Sequence, residues 1–321
     1  MKYVVSLALF AAICLLILAF YPESSTPQSE APASAGSSTN APEPASIPSE
    51  QKQSSLSSTV ERIRMDSKLL GQEMHASVYL PPGYSTDAQY PVLYLFHGYG
   101  GSYGDYAAYL SLQSVMDRLI QSDLIEPLII VEPEYRNSFG VNSKPGEGQD
   151  PGSVSIGPYE DYLMQEVIPY IDTHYSTQAS RASRSIGGIS MGGYASLYLG
   201  LNHHDLFSKI GAHSAALWNY TSSDQFTDQR DWLYANDALR SLRDPFKLAE
   251  DPSRLQDMKI YLDAGANDQL SVQDYAFYEL LQEQNADVVW SSTPGGHNGA
   301  YWGGMLEKYL LFYAGISGDS E

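Results

Sequence analysis

The sequence predicts an α/β domain built on an open, mostly parallel sheet with helices on both faces. Three observations carry that prediction. The runs Pro91–Phe96 and Leu128–Val131 are continuously apolar at strand length, as strands buried on both faces require. Such strands alternate with segments of helical period, the pattern of a layered α/β sheet. Between two of these segments, Gly188-Ile189-Ser190-Met191-Gly192-Gly193 links a short acid-free strand to a helical pattern of Tyr194, Leu197, Tyr198 and Leu201. In a G-x-S-x-G turn of that kind a strand passes sharply into a helix and holds the serine at its tip.

Taken in order, residues 1–20 hold Lys2 and then an uncharged apolar run from Tyr3 to Phe20. Its length fits a signal peptide or a single membrane anchor. No A-x-A site stands at its end, which favours the anchor, with Lys2 on the cytoplasmic side. Residues 21–58 are rich in Ser, Pro, Ala, Thr and Glu and read as a disordered linker. The folded domain is expected over 59–321. It begins with the alternating segments Val60–Met65 and Met74–Leu80, which read as an antiparallel hairpin around Gly71. Helices are expected around Leu110–Gln121 and Tyr159–His174, the latter kinked at Pro169. The long loop 134–158 between them has the length of a functional loop. After the serine come strands Ser208–His213, Lys259–Ala264 and Val288–Ser292, and helices over about Val272–Gln284 and Tyr301–Tyr313. Residues 217–256 form a larger insertion with Trp218, Phe226, Trp232 and Phe246.

At 321 residues the chain is long enough for one large domain with a substantial core. The net charge is -20, of which -18 falls after residue 60. Such a surface repels nucleic acid and anionic lipid, and suits neutral or cationic partners. The one cysteine, Cys14, lies in the apolar leader, so the domain is expected to have no disulfide, no CxxC redox chemistry and no thiolate metal site. No cofactor or metal is expected.

A serine hydroxyl is a weak nucleophile at neutral pH and needs a base, which in turn needs an orienting acid. In this architecture they follow in the order Ser, acid, His on loops past later strands. His297, in Thr293-Pro294-Gly295-Gly296-His297-Asn298-Gly299, meets that rule. His203 and His204 end the serine's helix, and His213 ends a strand. The acid lies in Ile260–Gln269, which offers Asp263, still within the strand, and Asp268, on the loop beyond. Asp268 is the better placed. His97-Gly98-Tyr99-Gly100-Gly101 follows the third strand, where one oxyanion N–H is supplied. Tyr99 is assigned that donor, with Gly98 and Gly100 as alternatives, and Met191 supplies the second. His97 itself reads as a structural histidine bonding local backbone. Tyr103, Tyr135, Trp218 and Trp302 stand near predicted strand ends and are candidates to stack on a sugar or an aromatic acyl group. Asn219-Tyr220-Thr221 matches the glycosylation sequon, a common chance pattern.

The segments His97–Gly101, Gly188–Gly193, Gly265–Asp268 and Gly295–His297, with Tyr159-Glu160-Asp161-Tyr162, Val167–Ile171 and His204-Asp205-Leu206-Phe207, together resemble the esterase D / feruloyl esterase-like group of α/β-hydrolases. The resemblance covers about residues 60–315. It implies the α/β-hydrolase fold and a serine esterase without cofactor, with a Ser190–His297–Asp268 triad. An exported, tethered domain without cysteine departs from the cytosolic S-formylglutathione hydrolases of that group. It suits small acyl or carbohydrate-linked esters outside the cell. Two other functions fit the same residues: an acyltransferase of mycolyltransferase type, with a sugar hydroxyl in place of water, and a tethered binding module on an inactive hydrolase scaffold.

Overall fold

A computed structural model describes residues 57–220, 224 and 226–316. The expected anchor 1–20 and nearly all of the linker 21–58 lie outside these residues. Eight strands form one sheet: β1 (Thr59–Ser67), β2 (Gln72–Leu80), β3 (Val92–Phe96), β4 (Ile129–Pro133), β5 (Arg184–Ile189), β6 (Lys209–His213), β7 (Lys259–Gly265) and β8 (Asp287–Thr293). Their order is β1-β2-β4-β3-β5-β6-β7-β8. The hairpin β1–β2 is antiparallel, and so is the join of β2 to β4. From β4 to β8 every pairing is parallel. The antiparallel hairpin therefore leads into a parallel body, the fold of an α/β-hydrolase.

All five residues of β3 and of β4 are buried, and their side chains alternate between two cores. On β3, Val92, Tyr94 and Phe96 enter one core, while Leu93 and Leu95 enter the other. This is the period-two geometry of a strand covered twice. The helices, in chain order, are α1 (Asp105–Tyr109), α2 (Leu112–Gln121), α3 (Tyr159–His174), α4 (Met191–Asn202), α5 (Thr227–Leu233), α6 (Asp237–Arg243), α7 (Pro245–Leu248), α8 (Ser271–Glu283) and α9 (Gly299–Ala314). The first core takes Leu197 and Leu201 of α4, Ile171 of α3 and Phe277 of α8. The second takes Leu112, Met116 and Leu119 of α2 with Met305, Leu306 and Leu310 of α9.

One helix departs from expectation. The segment α3 widens to π-type turns over Tyr162–Val167 and closes as an α-helix over Ile168–His174, with Pro169 in the first turn of that helix. A proline has no N–H for the i→i−4 bond, and its ring crowds that carbonyl. Wider turns before it absorb the misfit. The insertion supplies α5, α6 and α7, which bury Trp232, Leu233 and Leu248 in the first core.

Candidate active site

Ser190 stands between β5 and α4 with φ 56° and ψ -116°, a conformation that a side-chain-bearing residue rarely takes. The turn leaves no room around it. A Cβ on Gly188 would lie 2.6 Å from the Gly192 carbonyl, and one on Gly192 would overlap the Phe96 carbonyl oxygen. The two glycines are thus required by close approach of backbone to backbone, as the sequence pattern implies. Ser190 N–H donates to the His213 carbonyl (2.9 Å), and the Ser190 carbonyl accepts from Ala216 (3.0 Å). The turn is tied to the strand beside it, so the hydroxyl is presented from a fixed base.

His297 and Asp268 come from the loops after β8 and β7. These loops are joined by backbone bonds, Asn267 N–H to Gly295 O (2.8 Å) and Ala266 N–H to Thr293 O (2.9 Å). His297 directly precedes α9, whose first turn is capped by the Asn298 side chain accepting from Tyr301 N–H (3.1 Å). The result brings three side chains into line. His297 Nε2 lies 2.9 Å from Ser190 Oγ. His297 Nδ1 lies 3.0 Å and 3.2 Å from the two Asp268 oxygens. The Asp268 side chain is fully shielded from solvent, whereas 22% of the His297 side chain is exposed. Burial alone would push the Asp268 carboxyl up. Bonds from His297, Leu270 N–H and the Ser214 hydroxyl outweigh it and hold the acid below its ordinary range. Asp268 thus sits as a carboxylate against His297 Nδ1, with Ser190 Oγ at the opposite nitrogen.

Asp263, the other candidate acid, is turned away from His297. It is fully buried at mid-sheet, with Oδ1 2.6 Å from His213 Nδ1. Its Oδ2 accepts from the hydroxyls of Tyr301 (2.7 Å) and Tyr309 (2.8 Å). Of the two, only Asp268 meets His297.

Met191 begins α4 directly after the serine, and Tyr99 stands on the loop after β3, across from it. A Cβ on Gly98 would lie 3.6 Å from that of Ser190, so this loop passes beside the serine. The Gly100 N–H is committed to Asn137 Oδ1 (2.8 Å), which removes Gly100 from the donor candidates. The loop 134–158 braces this loop throughout. Tyr135 donates to His97 O (2.6 Å), and Tyr99 donates to Ser153 O (2.8 Å). Glu134 accepts from Ser102 Oγ (3.0 Å) and Tyr103 N–H (3.4 Å). His97 Nδ1–H donates to Gly98 O (2.8 Å), and Nε2 lies 3.4 Å from Glu134. Burial pushes the Glu134 carboxyl up, but His97, Arg136 N–H and Ser102 overcome this and hold it at about 2. Glu134 and Asn137 are missed by sequence reasoning. Their one visible signal is their place directly after a buried strand, at the start of a long loop.

The aromatic candidates divide. Tyr103 is half-buried, stacks on His75 (centroids 5.3 Å apart) and lines an open groove of about 450 Å³ beside the loop after β3. Tyr135 and Trp218 are buried to within 1% and present no face to a ligand, which corrects their reading as stacking platforms. Tyr135 is spent on His97 O, and Trp218 packs among Phe139, Tyr194 and Tyr234. Trp302 is half-buried and lies edge-on to His297, with centroids 5.0 Å apart. Its Nε1–H donates to Ser214 Oγ (3.1 Å).

A strained serine between strand and helix, a histidine on its hydroxyl and a carboxylate behind the histidine is the arrangement of a serine hydrolase on an α/β-hydrolase fold. Comparison with known proteins narrows the class. The family model described as "Putative esterase" matches residues 67–313, and the chain belongs to that family of carboxylic ester hydrolases. It is 26% identical to an acetyl esterase of Caldicellulosiruptor saccharolyticus over 241 residues, covering 70% of this chain and 84% of the relative. It is 29% identical over 164 residues to an endo-1,4-beta-xylanase/feruloyl esterase of Xylanibacter ruminicola, covering 50% of this chain but only 22% of that longer relative. A solved ferulic acid esterase superposes with TM-score 0.68 at 27% identity, covering 82% of this chain and all of that one.

Proposed function

We propose that this chain is a serine esterase that cleaves carboxylic esters through an acyl-enzyme on Ser190. The observation that carries the reading is the 2.9 Å contact of Ser190 Oγ with His297 Nε2, with Asp268 on the opposite nitrogen. His297 takes the serine proton as Oγ attacks the ester carbonyl, and then gives it to the leaving alcohol. Asp268 keeps the tautomer and stabilises the imidazolium. The N–H groups of Met191 and Tyr99 hold the oxyanion. Water, deprotonated by His297, releases the acid by the reverse route.

The proposed substrates are small acyl or carbohydrate-linked esters outside the cytoplasm. Support for the class comes from the acetyl and feruloyl esterases among the relatives and from the aromatic, polar groove beside the loop after β3. Support for the location is the uncharged run 3–20 followed by the Ser/Pro/Ala-rich linker. The test is a panel of p-nitrophenyl acyl esters, acetylxylan and methyl ferulate, with and without a sugar acceptor. Release of free acetate or ferulate that is lost in Ser190→Ala is expected. Transfer of the acyl group to the sugar in preference to water would turn the reading to an acyltransferase.

A further inference from the structure

Ser214, the first residue past β6, is fully buried and holds a left-handed backbone with φ 49°. If backbone conformation alone decided, glycine would be the better residue there. What serine adds is a hydroxyl, and its oxygen is in use as an acceptor. Trp302 Nε1–H can only donate, and it donates to Ser214 Oγ. The Ser214 hydroxyl also helps to hold the Asp268 carboxyl low. The indole of Trp302, fixed by that bond, stands edge-on against the ring of His297. His297 in turn bonds Asp268. The contacts run as a chain from Ser214 through Trp302 and His297 to Asp268.

We propose that Ser214 and Trp302 are positioning residues for the reaction. Together they hold the imidazole of His297 at the angle that aims Nε2 at Ser190. The proposal rests on the triad reading above. Neither residue touches the reacting atoms. Asp268 is fixed by Leu270 N–H and by His297, so the acid cannot turn without breaking one of these bonds. The imidazole has less support. Part of it is exposed, and it is held by Asp268, the serine and the indole. A ring free to swing at that position would leave the serine without its base for part of the time. Small losses of alignment at a proton-transfer site cost turnover and leave substrate affinity unchanged.

The test uses Ser214→Gly, which keeps the left-handed backbone and deletes the hydroxyl, and Trp302→Phe, which keeps an aromatic ring and deletes the N–H. Steady-state kinetics on p-nitrophenyl acetate are measured for each, for the pair together and for Ser190→Ala. Each single variant is expected to lower kcat about ten-fold with KM within about two-fold, and the double variant to be no worse than either, because both remove the same Ser214–Trp302 bond. Penalties that multiply to about a hundred-fold in the double variant would show two independent effects and overturn the proposal. Folded single variants with unchanged kcat, whatever their melting temperature, would overturn it as well, as would a change confined to KM. An active Ser190→Ala protein would instead sink the triad reading on which the proposal stands.

Discussion

Asp268–His297 and Asp263–His213 are the same two side chains joined in the same way, each imidazole meeting its carboxylate through Nδ1. They differ in what the second nitrogen faces. His297 Nε2 points at Ser190 Oγ from a loop, and part of the ring is open to solvent. His213 Nε2 meets the Tyr313 hydroxyl (3.0 Å) inside the sheet, with Tyr309 stacked on the ring at 3.5 Å between centroids. Asp263 is also saturated by Tyr301 and Tyr309, whereas Asp268 sits where two loops meet. The comparison teaches that an acid–histidine pair is not in itself a catalytic device. A pair whose bonds all close within the core holds strands and a helix together. A pair with one nitrogen left facing a nucleophile is able to move a proton.

The largest expected difference between the pairs is in turnover. Asp268→Asn removes the carboxylate that sets the tautomer, and kcat should fall by roughly 10⁴-fold. Asp263→Asn should leave kcat of the folded protein within a few-fold. Kinetics corrected for the folded fraction by circular dichroism check this, and the reverse ranking would move the chemistry to the strand pair.

Stability should rank the pairs the other way. His213→Ala leaves Asp263 buried without its nitrogen partner and opens space beside Tyr309, for a loss of roughly 3–5 kcal/mol. His297→Ala removes less packing but leaves the shielded Asp268 without its imidazole partner, and should cost about 1–2 kcal/mol. Urea denaturation of both variants gives the comparison.

A third carboxyl sharpens the contrast. Asp274, in α8, is fully buried, feels the charges of Asp268 and Asp263, and among the described residues its oxygens have no donor at hydrogen-bond distance. Burial first, and then those two acids, push its pKa well above the ordinary carboxylate value. The folded protein therefore favours the protonated form. Its stability is complete below the unfolded value of about 4 and declines as pH rises above it, towards the raised folded value. Asp274→Asn copies the neutral acid. It should change melting temperature little near pH 4 and raise it by about 2–4 °C at pH 8. A gain that is flat in pH would contradict the assignment.

The smallest effect concerns the brace under the loop after β3. Tyr135→Phe leaves the His97 carbonyl without its donor and should cost about 1 kcal/mol, measured by the same denaturation. A larger fall in activity than in stability would show that Tyr135 also sets the oxyanion geometry.

Much of this was legible in the sequence because the signals are local. Strands β3 and β4 announce themselves as apolar runs, β5 as a short acid-free stretch, and the elbow announces itself through the spacing of Gly188 and Gly192 about Ser190. His297 and Asp268 were legible through order along the chain. The remainder depends on partners far apart in sequence. Nothing near Ser214 signals Trp302, and nothing near Asn137 signals Gly100, because those bonds exist only once the sheet has formed. Aromatic residues near strand ends misled for a related reason. Tyr135 and Tyr103 look alike in sequence, yet one points into the core and the other lines the groove. The π-type turns of α3 were hidden because Pro169 signals a fault in the helix without saying how the chain absorbs it.

The central claim, that Ser190 is made nucleophilic by the loop pair, is tested most directly by fluorophosphonate labelling with the modified peptide identified by mass spectrometry. The probe needs only an activated serine and an oxyanion hole, so the ester need not be known. The account predicts stoichiometric labelling at Ser190 at neutral pH, absent in Ser190→Ala and slowed at least about 100-fold in His297→Ala. A folded wild-type protein that takes up no probe, or one that labels as fast without His297, would contradict it.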